Sequence, residues 1–399
     1  MSDRPYDLVL FGATGFAGRL TAEYLARAVP PTASWALAGR NRAKLELVRD
    51  RLGMLWSGLP LLCADAAEPG SLRELARSTR VLASTVGPYV RHGEPLVAAC
   101  AAEGTDYVDL AGESEFVDRC YVRYHRRAVE TGARLVHSCG FDSLPNDLGA
   151  YFTVRQLPEG VPLRVRGFVR ASGTISGGTY QSAIIGLSRI RPAHAARRER
   201  RSQEPRPVGR RARAVPGRLH HDSDAQAWAV PLPTIDAQVV ARSARALERY
   251  GPDFSYTHYA AVQRLPSVIG GVSTVAGIVA LAQLPPTRRW LEHRIPSGKG
   301  PSPQQRAHSW FTVRLVGEGG GERVITEVAG GDPGYGETAK MLAESALCLV
   351  AGGLPRTSGQ VTPAAAMGDA LIERLVKAGI TFSVLDGAPT GPPSRRLSA

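Results

Sequence analysis

Residues 6–25 read YDLVLFGATGFAGRLTAEYL: an apolar run ends at Gly12, and helical periodicity begins after Gly18. A strand that feeds a helix through three glycines constrains the fold more than any other feature, because the helix needs a parallel sheet to cover. Gly12 suits the tight turn, Gly15 lets an anion approach the backbone, and Gly18 allows close packing of the helix. Ala13, Thr14 and Phe16 complete the loop. The helix start offers unpaired N–H groups and partial positive charge, a site for a pyrophosphate. The spacing is GxxGxxG, not GxGxxG, so the specificity of the signal lies in strand, turn and helix occurring together.

Further strand-like and helix-like runs alternate up to Ser138. The strand-like ones are Leu8 to Phe11, Trp35 to Ala38, Leu61 to Ala64, Val81 to Val86, Tyr107 to Leu110 and Arg134 to Ser138. The amphipathic segments between them are crossover helices, so residues 1–143 form a Rossmann domain, an α/β doubly wound parallel sheet. Residues 144–334 change to β-rich segments and read as a second, α+β domain for substrate binding or dimerisation. In it, GEGGGE at Gly317 to Glu322 joins two alternating runs as a hairpin. Residues 335–399 read as helices that pack back on the first domain, followed by a flexible tail. One of them spans Pro363 to Ala378, with Thr362 as its N-cap and Gly379 as its stop.

The loop after the second strand discriminates between cofactors. An NAD site commonly places a carboxylate there for the ribose 2′-OH, but this chain reads Ala38, Gly39, Arg40, Asn41. Arg40 can grip a 2′-phosphate bidentately, with Arg42 and Lys44 in reach, so NADPH is the expected cofactor. Asp65 and Ala66 after the third strand fall near the adenine. Ser84, Thr85, Val86, Gly87 and Pro88 after the fourth fall beside the ribose and nicotinamide. No metal site is expected, because the cysteines form no CxxC pair.

The 399 residues carry a net charge of +13, most of it in one place. Between Arg189 and Arg218 eleven arginines face two glutamates, a local excess of nine. Four prolines and almost no aromatics accompany them, so the stacking platforms of single-strand binders are missing and nucleic acid is not the expected partner. This basic insertion, residues 189–218, reads as an exposed helix end followed by a mobile loop, either a solvated excursion or a dock for an acidic protein or anionic lipid. Leu265 to Leu284 has no charged residue, but Pro266 and three glycines keep its hydropathy modest. It reads as a buried or dimer-interface helix, or as the wall of a groove for a greasy substrate, and not as a membrane span. A homodimer is expected, with peripheral membrane contact left open. Five widely spaced cysteines and an N-terminus that enters a strand at once place the chain in the cytoplasm.

Taken together, GATGFAG at Gly12, AGRN at Ala38, STVGPY at Ser84, YVDLAGE at Tyr107, CGFDSLPNDLG at Cys139, SGGT at Ser176, DPGYGETAKMLAESAL at Asp332 and VTPAAAMGDAL at Val361 resemble the saccharopine dehydrogenase-like oxidoreductases. The resemblance is closest to their trans-acting enoyl reductase branch and covers most of the chain. It implies an NADPH-dependent reductase acting on an α,β-unsaturated acyl thioester, held by a polyketide synthase on an acidic acyl carrier protein. Such a reaction needs donors for the thioester oxygen and a proton for the α-carbon. Tyr89, Asp142, Ser143 and Tyr180 are the candidates, with packing or helix capping as the competing role of the first three; His137 reads as a strand residue. Two rival readings remain: an imine or carbonyl reductase of a small metabolite, and a non-catalytic protein- or lipid-binding adaptor.

Overall fold

A computed structural model describes residues 4–173, 184–186, 188–264, 266, 281–282, 286–287 and 301–385. The first half alternates as the periodicity requires: β1 (Tyr6–Phe11), α1 (Phe16–Ala28), β2 (Trp35–Gly39), α2 (Arg42–Arg51), β3 (Leu61–Cys63), α3 (Pro69–Arg77), β4 (Thr79–Ser84), α4 (Tyr89–His92), α5 (Glu94–Glu103), β5 (Asp106–Asp109), α6 (Ser114–Thr131) and β6 (Arg134–Val136). All pair in parallel in the order β3-β2-β1-β4-β5-β6, so the order reverses between β1 and β4, where open α/β sheets bind ligands.

The chain continues as α7 (Leu144–Val154), β7 (Leu163–Ser172), α8 (Ile190–Gln203), β8 (Arg211–Ala214), β9 (His220–Asp222), β10 (Ala227–Pro231), α9 (Asp236–Ala246), β11 (Asp253–Val262), α10 (Pro303–Ala307), β12 (Trp310–Gly319), β13 (Glu322–Gly330), α11 (Gly336–Ala351), β14 (Gly359–Val361), α12 (Pro363–Ala366), α13 (Gly368–Lys377) and β15 (Thr381–Leu385). A second, mixed sheet runs β15-β13-β12-β7-β11-β10-β9, with β8 also on β11. The β12–β13 hairpin turns at Gly320 and Gly321, whose φ values of 61° and 82° lie in the left-handed region favoured in two-residue turns. The strands thus run further into GEGGGE than the sequence suggests.

The C-terminal segment differs from the all-helical expectation in three ways. β14 pairs with β6 as a seventh parallel strand, and β15 rejoins the second sheet against β13. The helix expected over 363–378 is broken at Gly368, with φ of 44°, into α12 and α13. Thr362 does cap α12 by accepting from the Ala365 amide. The return of α11 to the first domain is fixed by Tyr24, which donates to Glu344 at 2.7 Å. One apolar core runs from β1 and β4 through α7 and α11 into β12 and β13, while a second fills the other face of the parallel sheet.

The basic insertion is a helix with one exposed face, as expected, but it is braced on its other face and continues into a strand. It forms α8 against α6, and then β8 in the second sheet. Arg189 bonds Glu115 at 2.6 Å through two nitrogens, and Arg210 donates to the carbonyls of Ala244, Leu247 and Gly251. Arg200 is 1% exposed, with its Nε 2.6 Å from Asp118 Oδ1 and a further contact to Glu204. Removing one partner of a buried pair leaves the other charge stranded, so Arg200→Ala is expected to cost about 3–5 kcal/mol in chemical denaturation. A loss below about 1 kcal/mol, the range of a surface pair, would contradict this packing. Among the described residues no helix is long and apolar enough to cross a membrane. Of the apolar run 265–284, only Pro266, Leu281 and Ala282 are described.

Candidate active site

The glycine loop is built on β1, β2 and β4. The amides of Gly12 and Ala13 donate to the Ala38 carbonyl, and the Gly15 amide donates to Gly12 O. Gly12 has φ of 89°, and an added Cβ would lie 2.7 Å from Thr85 Oγ1 and Val86 Cγ2. A Cβ on Gly18 would fall 2.2 Å from Gly12 O, so the helix crosses directly over the loop. A Cβ on Gly15 would meet only Gly12 O, at 3.3 Å, so this face of the loop is open. Gly15 is also the N-cap of α1 and supplies no side-chain acceptor. Uncapped N–H groups beside an open glycine face fit a pyrophosphate. Ala13 is fully buried and contributes backbone only, while Thr14 and Phe16 are partly open. Arg19 donates to Thr14 O at 3.2 Å and holds the loop.

At the end of β2, Arg40 and Lys44 are exposed. Asn41 Oδ1 accepts from the Lys44 amide at 2.9 Å, so that oxygen caps α2 and only the Nδ2 donors of the side chain face outward for a ligand. Arg42 pairs with Glu46 at 3.3 Å, which leaves Arg40 and Lys44 for a phosphate. Asp65 Oδ1 accepts from the Ala67 amide and shapes the turn after β3, which places Asp65 and Ala66 beside β2. His92, which sequence reasoning missed, lies in the electrostatic reach of Arg40, Arg91 and Asp65; burial and then the two arginines disfavour its charged form.

The turn after β4 also needs correction. Ser84 is 1% exposed within the sheet and cannot offer its side chain to a ligand, whereas Thr85, Val86, Gly87 and Pro88 reach the surface beside the loop. Tyr89 is 5% exposed; its hydroxyl donates to Ser84 O at 2.9 Å and accepts from the Leu110 amide at 3.1 Å. With both bonds satisfied internally, Tyr89 clips β4 to β5 and is not the proton donor. Ser143 is fully buried and is likewise removed from the catalytic candidates. Tyr180 and the SGGT motif lie outside the described residues.

Asp142 is the sequence candidate that remains, and its loop is held from both sides. Asp109, fully buried, accepts from the amides of Ser138 and Ala111, and its carbonyl accepts from Cys139 N at 2.7 Å. Its second oxygen lies 2.7 Å from His137 Nδ1, so His137 is a buried support packed against Tyr107 and Phe116. From α11, Thr338 accepts from the Phe141 amide at 3.1 Å. The Asp142 carboxyl itself is open to solvent and rests over Gly112, where a Cβ would stand 3.4 Å from its Cγ and Oδ2. Its chain neighbours Ser143, Leu144 and Asn146 are buried, so protein lies against one side of the acid. This desolvation, followed by the charges of Asp236 and Glu113, pushes its carboxyl up to about 7.

Asp236 and Glu113 are held by their own bonds. Glu113 accepts from the Val90 amide at 2.7 Å. Asn146, one helical turn below Asp142, donates to Asp236 Oδ1 at 2.6 Å and accepts from Tyr256 at 3.3 Å. His258 lies 3.2 Å from the Tyr256 hydroxyl and 3.6 Å from Asp236. The dinucleotide loop joins this side through Phe16 and Tyr335, whose ring centroids are 4.7 Å apart. A cavity of about 450 Å³ lined by Ser172, Gly173, Gln304, Gln305, His308 and Ser309 adjoins the same DPGYG turn, because a Cβ on Gly173 would stand 3.8 Å from Pro333.

An anion-binding loop at the strand-order reversal and an exposed acid at the same sheet edge lie where open α/β sheets bind ligands. Residues 8–136 match the saccharopine dehydrogenase NADP binding domain family. A trans-acting enoyl reductase of Mycobacterium ulcerans (strain Agy99) is 37% identical over 421 residues, 96% of this chain and 98% of that protein. The chain belongs to the trans-acting enoyl reductase family. A second member, the trans-acting enoyl reductase of Mycobacterium tuberculosis (strain ATCC 25618 / H37Rv), is 37% identical over 418 residues, again 96% and 98% of the two chains. The fold is that of the apo, histidine-tagged saccharopine dehydrogenase (L-Glu forming) from Saccharomyces cerevisiae. That structure covers 96% of this chain and 100% of its own with a TM-score of 0.56 at 12% identity. The protein is therefore an oxidoreductase of the saccharopine dehydrogenase-like class with a nicotinamide dinucleotide site.

Proposed function

We propose that the enzyme is an NADPH-dependent reductase of the α,β double bond in a polyketide or fatty acyl thioester carried by a separate protein. The observation that carries this reading is the place of Asp142, an exposed acid on the loop after β6 at the same sheet edge as the glycine loop, with its carboxyl pushed up to about 7 by desolvation and by Asp236 and Glu113. When bound, NADPH supplies a hydride to the β-carbon. The α-carbon then holds the electron pair and needs a proton, which Asp142 donates from its carboxyl before recovering one from solvent. Glu113 and Asp236 keep that proton on Asp142 near neutrality, and Tyr89, Asp109 and Thr338 hold the loops that carry the reacting groups.

The same acids count against the rival reading. An amino-acid-like substrate brings carboxylates of its own, which the charges of Asp236 and Glu113 would repel. Anaerobic NADPH oxidation tested with crotonyl thioester, cyclic imine and ketone substrates discriminates: turnover of the thioester alone supports the proposal, and turnover of the imine or ketone alone overturns it.

NADPH preference rests on Arg40 and on the lack of a carboxylate at the end of β2. Charge-assisted contacts to a phosphate are worth about 1.5–3 kcal/mol, so Arg40→Ala is expected to weaken NADPH roughly 10- to 100-fold and leave NADH nearly unchanged. Fluorescence titration checks it; equal affinity of the parent enzyme for both nucleotides would contradict the assignment. The five free cysteines support a reducing cytoplasm as the place of action.

A further inference from the structure

Of the arginines of the basic insertion that take no partner among the described residues, three stand in line on one helix face. Arg191, His194, Arg198 and Arg201 stand at positions i, i+3, i+7 and i+10 of α8, and all four are exposed. That spacing places them along one face of the helix. The opposite face carries Ala196 and Arg200, both buried toward α6. The mounting is rigid: Arg200 reaches Asp118 and Glu204, and Glu204 also takes Arg242 at 3.1 Å and Arg245 at 2.9 Å. The exposed arginines take no part in it, and Arg191, Arg198 and Arg201 make no ion pair with the described residues. Three cations held in line on a braced helix are poorly explained by stability, since exposed like charges only repel.

The stripe also has a direction. Arg189, immediately before α8, clasps Glu115 at the start of α6, two residues after Glu113. The beginning of the stripe therefore stands on the Glu113 side of Asp142, and its far end lies about 15 Å along the helix. We propose that the Arg191–Arg198–Arg201 face of α8 is the docking surface for an acidic carrier protein, which from there delivers its tethered enoyl thioester into the cleft. This inference rests on the enoyl reading for its substrate and on the charge geometry for its surface.

Two other anionic partners fit the face less well. Between and beside the cations it presents Ile190, Pro192, Ala195, Glu199 and Ser202. One exposed isoleucine does not make the apolar face that an interfacial helix must insert into lipid. The face carries no aromatic platform for a nucleic acid base either.

The test uses the full chain with Arg191→Glu, Arg198→Glu and Arg201→Glu combined. Kinetics are read with crotonyl-pantetheinyl acyl carrier protein and with crotonyl-N-acetylcysteamine, and binding by anisotropy of the labelled carrier. The expected result is a KM for the carrier substrate raised at least tenfold and carrier binding lost. NADPH affinity and turnover of the small thioester should stay within twofold, which also reports an intact fold. A carrier KM and affinity within twofold of the parent would overturn the proposal. So would loss of binding to vesicles of 30% phosphatidylglycerol, or to a thymidine 20-mer, with carrier binding retained. If the parent binds the carrier and the variant does not, while neither thioester is reduced, the docking surface stands and the enoyl reading falls.

Discussion

Asp142→Asn is expected to lower kcat about 100- to 10,000-fold, the usual contribution of a positioned general acid, while NADPH binding stays within twofold. The separation follows from place: Asp142 lies on the loop before α7, and the dinucleotide is held by the loop after β1. The pH dependence follows from sign. A raised carboxyl is protonated below its pKa and ionised above it, and the donor must carry its proton. The parent rate is therefore high on the acid side and falls as pH rises through about 7. Asp236→Asn removes one of the two negative charges that raise Asp142, so the falling limb should move to lower pH. A uniform loss of rate at every pH, with the limb in place, would mark Asp236 as structural only. An Asp142→Asn enzyme within tenfold of the parent would remove Asp142 from the proton step.

The second large effect concerns two neighbouring glycines with different duties. Gly18→Ala forces a methyl against the Gly12 carbonyl at 2.2 Å and Ala13 Cα at 2.9 Å, both backbone atoms that cannot swing aside. Overpacking of this kind costs about 1–3 kcal/mol or more, so both thermal stability and NADPH affinity should fall, the latter roughly 100-fold. Gly15→Ala adds its methyl on the open face, and its backbone conformation suits alanine. That variant should lose far less thermal stability than Gly18→Ala, since its methyl meets Gly12 O only at 3.3 Å, and still lose NADPH, because the methyl stands where the pyrophosphate approaches. Calorimetry and nucleotide titration on both variants check the contrast. Unchanged NADPH affinity in both would mean that the loop does not hold a dinucleotide.

The local signals in the sequence carried much of this. Strand and helix periods located six of the seven strands of the parallel sheet to within a few residues, and the hairpin joining β12 and β13 was visible in GEGGGE. What escaped depends on contacts distant along the chain. Arg200 looks like one solvated arginine among eleven until Asp118, 82 positions earlier, is found against it. β14 and β15 are short and gain their partners only from β6 and β13. Tyr89 follows a cofactor turn and so looks catalytic; only the Ser84 carbonyl and Leu110 amide reveal that its hydroxyl is occupied. Asp142 was legible by position at the sheet edge, but its chemistry was not, because Asp236 acts on it from 94 residues away.

Reduction of an enoyl thioester at this site delivers a hydride to the β-carbon and, through Asp142, a proton to the α-carbon. Mass and NMR analysis of the saturated product tests it directly, using 4-deuterated NADPH in ordinary water and unlabelled NADPH in deuterated water. One deuterium at the β-carbon from the cofactor, and one at the α-carbon from solvent, is the predicted pair. Deuterium found only on a carbinol or amine carbon of a rival substrate, with the enoyl thioester recovered unreduced, would contradict it.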